Sequence, residues 1–271
     1  MKIVLIFLII IFSILIFKKQ EPKPLIFLYW EGPEPNYIKL CYKTILKHCS
    51  KDFNIIRLNE NTIFNYLPQF KNKNLDKYLS IPQKTDIYRY NLLYKYGGIW
   101  LDSDIIVFSS LLAIYKNLEK YDYIGAGCHS KKCTPNGAPY PANWIMMSQP
   151  NTQLMKLMVE GTKNINNKIN YHGVGRNLLW KNIELMKKQN KNWTYYHIPS
   201  ICFERDSNDN KFTNKRLISN ENIDEKCSSK LIFIPIYNTA PGFPQWFKNM
   251  SEKQILQSNL LISKLFNKAL L

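Results

Sequence analysis

The chain has 271 residues, 45% hydrophobic and 14% aromatic, with 17 Tyr, 14 Phe and 6 Trp. That much apolar material excludes a disordered chain, the 10 Gly exclude a collagen-like one, and the length suits one large domain or two small ones. Lys+Arg outnumber Asp+Glu by 37 to 20, a net charge of +17, which favours an anionic partner such as nucleic acid, lipid headgroups or a phosphorylated small molecule, beside the plainer reading of a lysine-rich solvated surface.

Residues 3–17 read IVLIFLIIIFSILIF, with Ser13 the only polar side chain and lysines at positions 2, 18 and 19. The run is short against the ~20 apolar residues of a full span, and no small-residue cleavage site follows it. An uncleaved signal-anchor over residues 1–19 is therefore expected, single-pass, with snorkelling lysines extending it and its orientation undecided by flanking charge. It could sit in a Golgi- or ER-type membrane or in a bacterial inner membrane. Residues 20–24, with Pro22 and Pro24, read as a short stiff stem. Residues 1–24 hold four Lys and one Glu, so the remainder still carries +14 and the anchor does not account for the charge.

The soluble part is expected to span residues 25–250. Residues 24–30 form a continuous apolar run closed by Glu31-Gly32-Pro33, as a buried parallel strand would. Residues 37–49 carry apolar side chains at helical spacing, and residues 53–58 read as a second strand. Strand, helix, strand implies a βαβ unit and an α/β sheet. Pro82 is placed to open the next helix and Gly97-Gly98 to end it. Residues 99–101 start another strand, Asp102-Ser103-Asp104 interrupts it, and residues 105–108 resume it. Ser251 to Gln254 has a capping-box pattern opening an amphipathic helix over residues 251–271, which packs on the domain or lies on a membrane surface. Cys41, Cys49, Cys128, Cys133, Cys202 and Cys227 suit either three disulfides or buried thiols. His129 and the Cys128/Cys133 pair do not complete a zinc pattern.

The chemistry gathers between Asp86 and Asp104. Aspartate is depleted in strands, and neighbouring carboxylates repel, so Asp102 and Asp104 call for a cation. On an extended chain i and i+2 side chains leave the same face, so both could converge on one hard ion. Mg²⁺ or Mn²⁺ would complete its shell with water and a ligand's phosphates. On their own the pair could equally be solvated at a strand end. Asp86 and Arg89, at i and i+3, share a helix face, and together offer acceptors and fixed donors to sugar hydroxyls, or else form an ordinary ion pair.

The whole run TDIYRYNLLYKYGGIWLDSD, residues 85–104, resembles the signature block of sugar transferases with a DXD motif: glycosyltransferase family 32 and the related capsular polysaccharide synthesis proteins. The segments at residues 25–32 and 143–150 resemble further pieces of that pattern, and residues 171–175 resemble a third loosely. The resemblance implies a GT-A-like α/β domain with a central mixed sheet, binding a nucleotide sugar. It implies Asp102 and Asp104 as catalytic and metal-holding residues for Mn²⁺ or Mg²⁺, and Asp86 and Arg89 as contacts to the donor sugar. Tyr29, Trp30 and Trp100 would be nucleotide contacts; Trp100 stands where relatives usually carry Tyr. A later metal contact has no clear match among His172, His197 and Asn238. The implied reaction moves a sugar from a UDP- or GDP-sugar to a glycan or glycoconjugate acceptor, with retention of configuration and no nucleic acid involved. Two rivals share some features. A metal-dependent phosphohydrolase or nuclease would use the same Asp pair but needs further carboxylates or histidines. A basic nucleic-acid-binding protein would need a recognisable module.

Overall fold

The computed structural model describes residues 22–73, 75–128, 140–163, 165, 170, 173–236 and 242–271. The central layer is a six-stranded mixed sheet of order β2-β1-β3-β6-β5-β7. Its strands are β1 (Leu25–Tyr29), β2 (Asn54–Leu58), β3 (Gly98–Leu101), β5 (Tyr123–Cys128), β6 (Tyr140–Ser148) and β7 (Tyr195–His197). β2, β1 and β3 run parallel, β6 is antiparallel to both β3 and β5, and β7 is parallel to β5. All four residues of β3 are buried, which is why it reads as an unbroken apolar run. A two-stranded antiparallel sheet pairs β4 (Ile105–Val107) with β8 (Phe233–Pro235).

Helix α1 (Asn36–Cys49) links β1 to β2 as the βαβ reading requires, and buries Ile38, Cys41 and Ile45. Helix α2 (Ile81–Tyr96) opens as expected: Pro82 lies in its first turn, and the Ser80 backbone N–H donates to the Gln83 side chain over 3.0 Å. Gly97 and Gly98 close it at φ +64° and +96°. A Cβ at Gly98 would stand 2.5 Å from the Leu25 carbonyl oxygen, so the turn from α2 into β3 admits glycine on both conformational and steric grounds. Helices α3 (Gln153–Glu160) and α4 (Arg176–Gln189) pack with α2 on one face of the sheet. The other face meets α1 and the β4/β8 ribbon.

The C-terminal helix expected over residues 251–271 is two helices, α5 (Glu252–Gln257) and α6 (Leu261–Leu270). The chain turns extended at Ser258 and Leu260, and the Leu261 N–H is taken by the Ser219 carbonyl at 2.8 Å, so one helical ladder cannot run through. Ile255, Leu261, Ile262, Leu265 and Phe266 are buried in the same apolar cluster as Tyr37, Ile38 and Cys41. His48 holds the Ala269 carbonyl at 2.7 Å through a ring nitrogen. The apolar face of this segment is covered by the domain, the first of the two placements expected for it, and not left for a membrane surface.

Cys202 and Cys227 are joined as a disulfide, whereas Cys41 and Cys49 are buried thiols. His129, Cys133 and the side chain of Cys128 lie outside the described residues, as do the expected anchor over residues 1–19 and the first residues of the stem. Among the described residues no helix is long and apolar enough to cross a membrane.

Candidate active site

The parallel strands β1 and β3 end side by side, and α2 returns against β3, so the N-terminal half of α2 lies beside the carboxyl end of that strand. This brings the two halves of the 85–104 block together. Arg89 NH1 lies 3.2 Å from Asp102 Oδ1, and Arg89 NH2 lies 3.1 Å from Asp86 Oδ1. The expected Asp86–Arg89 pair thus exists, but it is not a surface ion pair: Arg89 is 4% exposed and Asp86 8%. Burial works against the guanidinium's charge; the carboxylates of Asp102 and Asp86 outweigh it and hold its pKa above the ordinary value. One cation between two carboxylates leaves one negative charge in excess. Burial pushes Asp86 up to about 7, with Arg89 and a hydrogen bond from Asn143 pulling the other way and Asp102 adding to the rise. Asp102 is raised too, by burial against the pull of Arg89 and Trp100.

Asp102, Ser103 and Asp104 do not form an extended segment. Residues 103–104 make a turn between β3, in the six-stranded sheet, and β4, in the other. The expectation that i and i+2 carboxylates share a strand face is corrected by this change of sheet. Ser103 Oγ donates to the Tyr29 carbonyl at 2.8 Å and so ties the turn to the end of β1. Asp102 faces α2. The negative charge of Asp104 bears instead on α1: burial and then Asp104 push the Tyr37 hydroxyl and the Cys41 thiol upward.

The aromatic expectations separate. Trp100 is fully buried, so it offers no open face to a base, and its place among nucleotide contacts is corrected. Its Nε1 donates to Asp102 Oδ1 at 2.8 Å and its ring lies 4.9 Å beneath the Arg89 guanidinium carbon. Trp100 thereby fixes both charged partners from below. Tyr29, 6% exposed, stacks at 5.5 Å on Tyr88 and donates its hydroxyl to Glu31 at 2.7 Å. Its face is covered as well. Trp30 is partly exposed, with Nε1 donating to the Pro33 carbonyl at 3.3 Å. Of the three, Trp30 keeps surface for a ligand. His197, on β7, packs edge-on to Tyr195 at 5.6 Å; His172 and Asn238 lie outside the described residues.

Three participants lie outside the expected set. Asn143, on β6, donates through Nδ2 to Asp86 Oδ1 at 2.7 Å and to the Tyr90 hydroxyl at 3.3 Å, and its carbonyl accepts from Arg89 NH1. Tyr90 in turn donates to the Val174 carbonyl at 2.9 Å. Gly175, at the start of α4, approaches so closely that a Cβ there would stand 2.6 Å from Asp86 Oδ2. The signal for Tyr90 was its place one turn beyond Asp86; Asn143 and Gly175 depend on tertiary pairing.

As to a cation, Asp102 and Asp104 supply hard oxygen donors on one turn, and Asp102 keeps a side chain 29% exposed with Oδ2 clear of the Oδ1 contacts to Trp100 and Arg89. Among the described residues no three His, Cys, Asp or Glu gather as a ready-made metal cage. Of Asp102 and Asp104, the Asp102 carboxylate offers a hard oxygen to Mg²⁺ or Mn²⁺, which would take the rest of its shell from water and phosphate oxygens.

The model of the capsular polysaccharide synthesis protein family matches residues 10–174, more than half of the chain and inclusive of every residue just described in the Arg89 network except Gly175. The chain belongs to this family. The glycosyltransferase class expected from residues 85–104 stands with it. No curated protein sequence matches. Among solved structures, the glycosyltransferase PaToxG is 15% identical over 63% of this chain and 72% of its own, with a TM-score of 0.43. The apo glycosyltransferase GlyE of Streptococcus pneumoniae TIGR4 is 15% identical over 66% of this chain and 45% of its own, TM-score 0.39. The bifunctional WbbM in its apo form is 11% identical over 93% of this chain and 50% of its own, TM-score 0.47. The chain thus spans about half the length of the last two.

Proposed function

We propose that this protein, a GT-A-like family member, moves a sugar from a UDP- or GDP-sugar to a glycan or glycoconjugate acceptor, with Mn²⁺ or Mg²⁺ and with retention of configuration, anchored to a membrane by residues 1–19. The observation that carries the reading is the buried bridge of Arg89 between Asp86 and Asp102 at the carboxyl end of β3. A structural ion pair gains little from being walled in this way, since desolvation offsets most of its attraction, whereas a fixed fork of donors beside two carboxylates can orient a sugar's hydroxyls.

In this reading Asp102, with Asp104 on the same turn, would hold the cation, which would supply positive charge at the leaving nucleoside diphosphate. Asp86 and Arg89 orient the donor sugar. Asn143 fixes the carboxylate of Asp86 and takes one arm of Arg89, so the pair arrives set rather than searching for its geometry. Trp30 stacks on the base at the end of β1. Retention asks for no carboxylate nucleophile if the acceptor attacks on the face the diphosphate leaves. Protein incubated with a panel of labelled UDP- and GDP-sugars, Mn²⁺ and glycan acceptors should transfer label from one donor. Release of phosphate without transfer across the whole panel would favour a phosphohydrolase and sink the proposal.

A further inference from the structure

The two edges of the central sheet differ in charge. At the edge where β1, β2 and β3 end lie Glu31, Glu60 and Asp102, with Lys84 paired to Glu31 at 2.9 Å and Arg89 to Asp102 at 3.2 Å. At the opposite edge start β1, β2 and β3, together with β5 and β7, since Ile124 of β5 lies opposite Met147 near the end of β6 and Tyr123 pairs with Tyr195. An exposed lysine precedes each of these starts: Lys23 before β1, Lys51 before β2, Lys95 before β3, Lys120 before β5 and Lys191 before β7. Only sheet topology brings them together, because they lie up to 168 positions apart along the chain. Asp52 and Asp122 on the same edge are engaged within the domain, accepting from Ser110 Oγ at 2.5 Å and from the Thr194 N–H at 2.7 Å; Glu119 is the exposed carboxylate there. Helix C-termini account for part of the row: Lys95 lies in the last turn of α2, Lys51 and Lys191 directly follow the C-caps of α1 and α4, and Lys120 caps the short helical turn over residues 116–119.

Residues 1–21, with their fifteen-residue apolar run, join the described structure on this same edge, at Pro22 next to Lys23. Lys23 is held there, its Nζ donating to the Ser50 carbonyl at 3.2 Å. An apolar segment entering amid a row of lysines has the form of a surface that meets anionic headgroups, where each cation adds to attraction and a single short apolar run gains a second attachment.

We propose that the strand-start edge, with Lys23, Lys51, Lys95, Lys120 and Lys191, is a docking face for an anionic phospholipid bilayer, and that the carboxyl-end edge with Asp102 points away from it. This orients the domain; it stands independently of the sugar-transfer reading. Full-length protein would be bound to vesicles of phosphatidylcholine alone or with about a third phosphatidylglycerol, a composition that produces the negative surface potential. Backbone hydrogen exchange would then be followed at both sheet edges. Exchange in segments 47–54, 95–97, 120–122 and 190–194 should slow several-fold on anionic vesicles and stay unchanged on neutral ones. Segments 59–61 and 102–104 should not respond. The triple variant Lys51→Glu, Lys120→Glu, Lys191→Glu alters lysines with no side-chain bond to the fold and should lose the protection; Lys51→Gln, Lys120→Gln, Lys191→Gln should lose part of it. Equal protection on both vesicle types, protection of the Asp102 edge, or protection by a free oligonucleotide as strong as by anionic vesicles would each overturn the proposal.

Discussion

Arg89 stands between two carboxylates that come from different elements: Asp86 one turn back on its own helix, at 3.1 Å, and Asp102 beyond the end of β3, at 3.2 Å. The arrangement needs a planar cation with separate donors, one arm to each partner and a further contact to the Asn143 carbonyl. Arg89→Lys keeps the charge but cannot span them. Its kcat/KM should fall by orders of magnitude, in line with the roughly 2–4 kcal/mol that a positioned donor commonly supplies in a transition state. Stability should fall as well, by up to about 3–5 kcal/mol in Arg89→Ala, since two buried carboxylates are left facing each other. Thermal unfolding and steady-state kinetics on the same preparations decide the matter. Activity within a few-fold of wild type in Arg89→Lys would remove Arg89 from the donor site.

Gly175 tests whether the pair must be fixed from outside α2. The Cβ added by Gly175→Ala would lie 2.6 Å from Asp86 Oδ2 and 3.2 Å from Asn143 Nδ2. Asp86 must turn away or α4 must shift, at a cost of about 1–3 kcal/mol for overpacking. Transferase activity should drop at least tenfold with a modest loss of thermal stability, and Asn143→Ala, which removes the 2.7 Å bond to Asp86, should drop it similarly. Unchanged activity in both would mean that Asp86 does its work from more than one geometry.

Much of this arrangement was legible in the sequence because it is local. The helix from Pro82 to the glycine pair, the turn into β3 and the Asp86–Arg89 face all follow from spacing within residues 85–104. The family pattern carried Asp102 into the same site. What was not legible is what topology contributes. Asn143 arrives from β6, and Gly175 from the start of a helix on the same sheet face. The fate of Trp100 was hidden too. Its type suggested a stacking surface, but a strand buried on both sides turns every side chain inward, and the indole became a donor to Asp102. The C-terminal segment was misread for the opposite reason: its helical periodicity continues through Ser258, while the Ser219 carbonyl captures the Leu261 N–H and breaks the ladder.

Trp100→Phe isolates that indole donor. The phenyl ring retains apolar volume beneath Arg89, while Asp102 Oδ1 loses its 2.8 Å partner. Loss of a hydrogen bond to a charged group of this kind costs about 1.5–3 kcal/mol. The variant should fold, bind Mn²⁺ more weakly by calorimetry and need a higher Mn²⁺ concentration for half-maximal activity. Asp102→Asn and Asp104→Asn, each removing a ligand charge, should abolish both metal binding and transfer without unfolding the domain. Full Mn²⁺-dependent activity in both Asn variants would sink the metal assignment.

Asp86 predicts a pH dependence of stability whose sign follows from the excess charge around Arg89. Burial raises its folded pKa from the usual carboxylate range to about 7. Below about 4, the value expected in the unfolded chain, both states carry the proton and Asp86 contributes no slope. Between about 4 and 7 the unfolded chain has released the proton and the folded protein still holds it, so stability is lost as pH rises through that window. Above 7 both states are ionised and the penalty is constant. At about 1.4 kcal/mol per unit, the loss is at most about 4 kcal/mol. Asp86→Asn cannot titrate, so its stability curve should run flatter than the wild-type curve between pH 4.5 and 7, and the two should run parallel from 7.5 upward. Urea midpoints measured across that range, with a chelator present so that no cation competes for Asp102, give the comparison directly. Parallel curves through the whole range would mean that Asp86 is ionised in the folded protein well below neutrality, and that Arg89 serves both carboxylates at once.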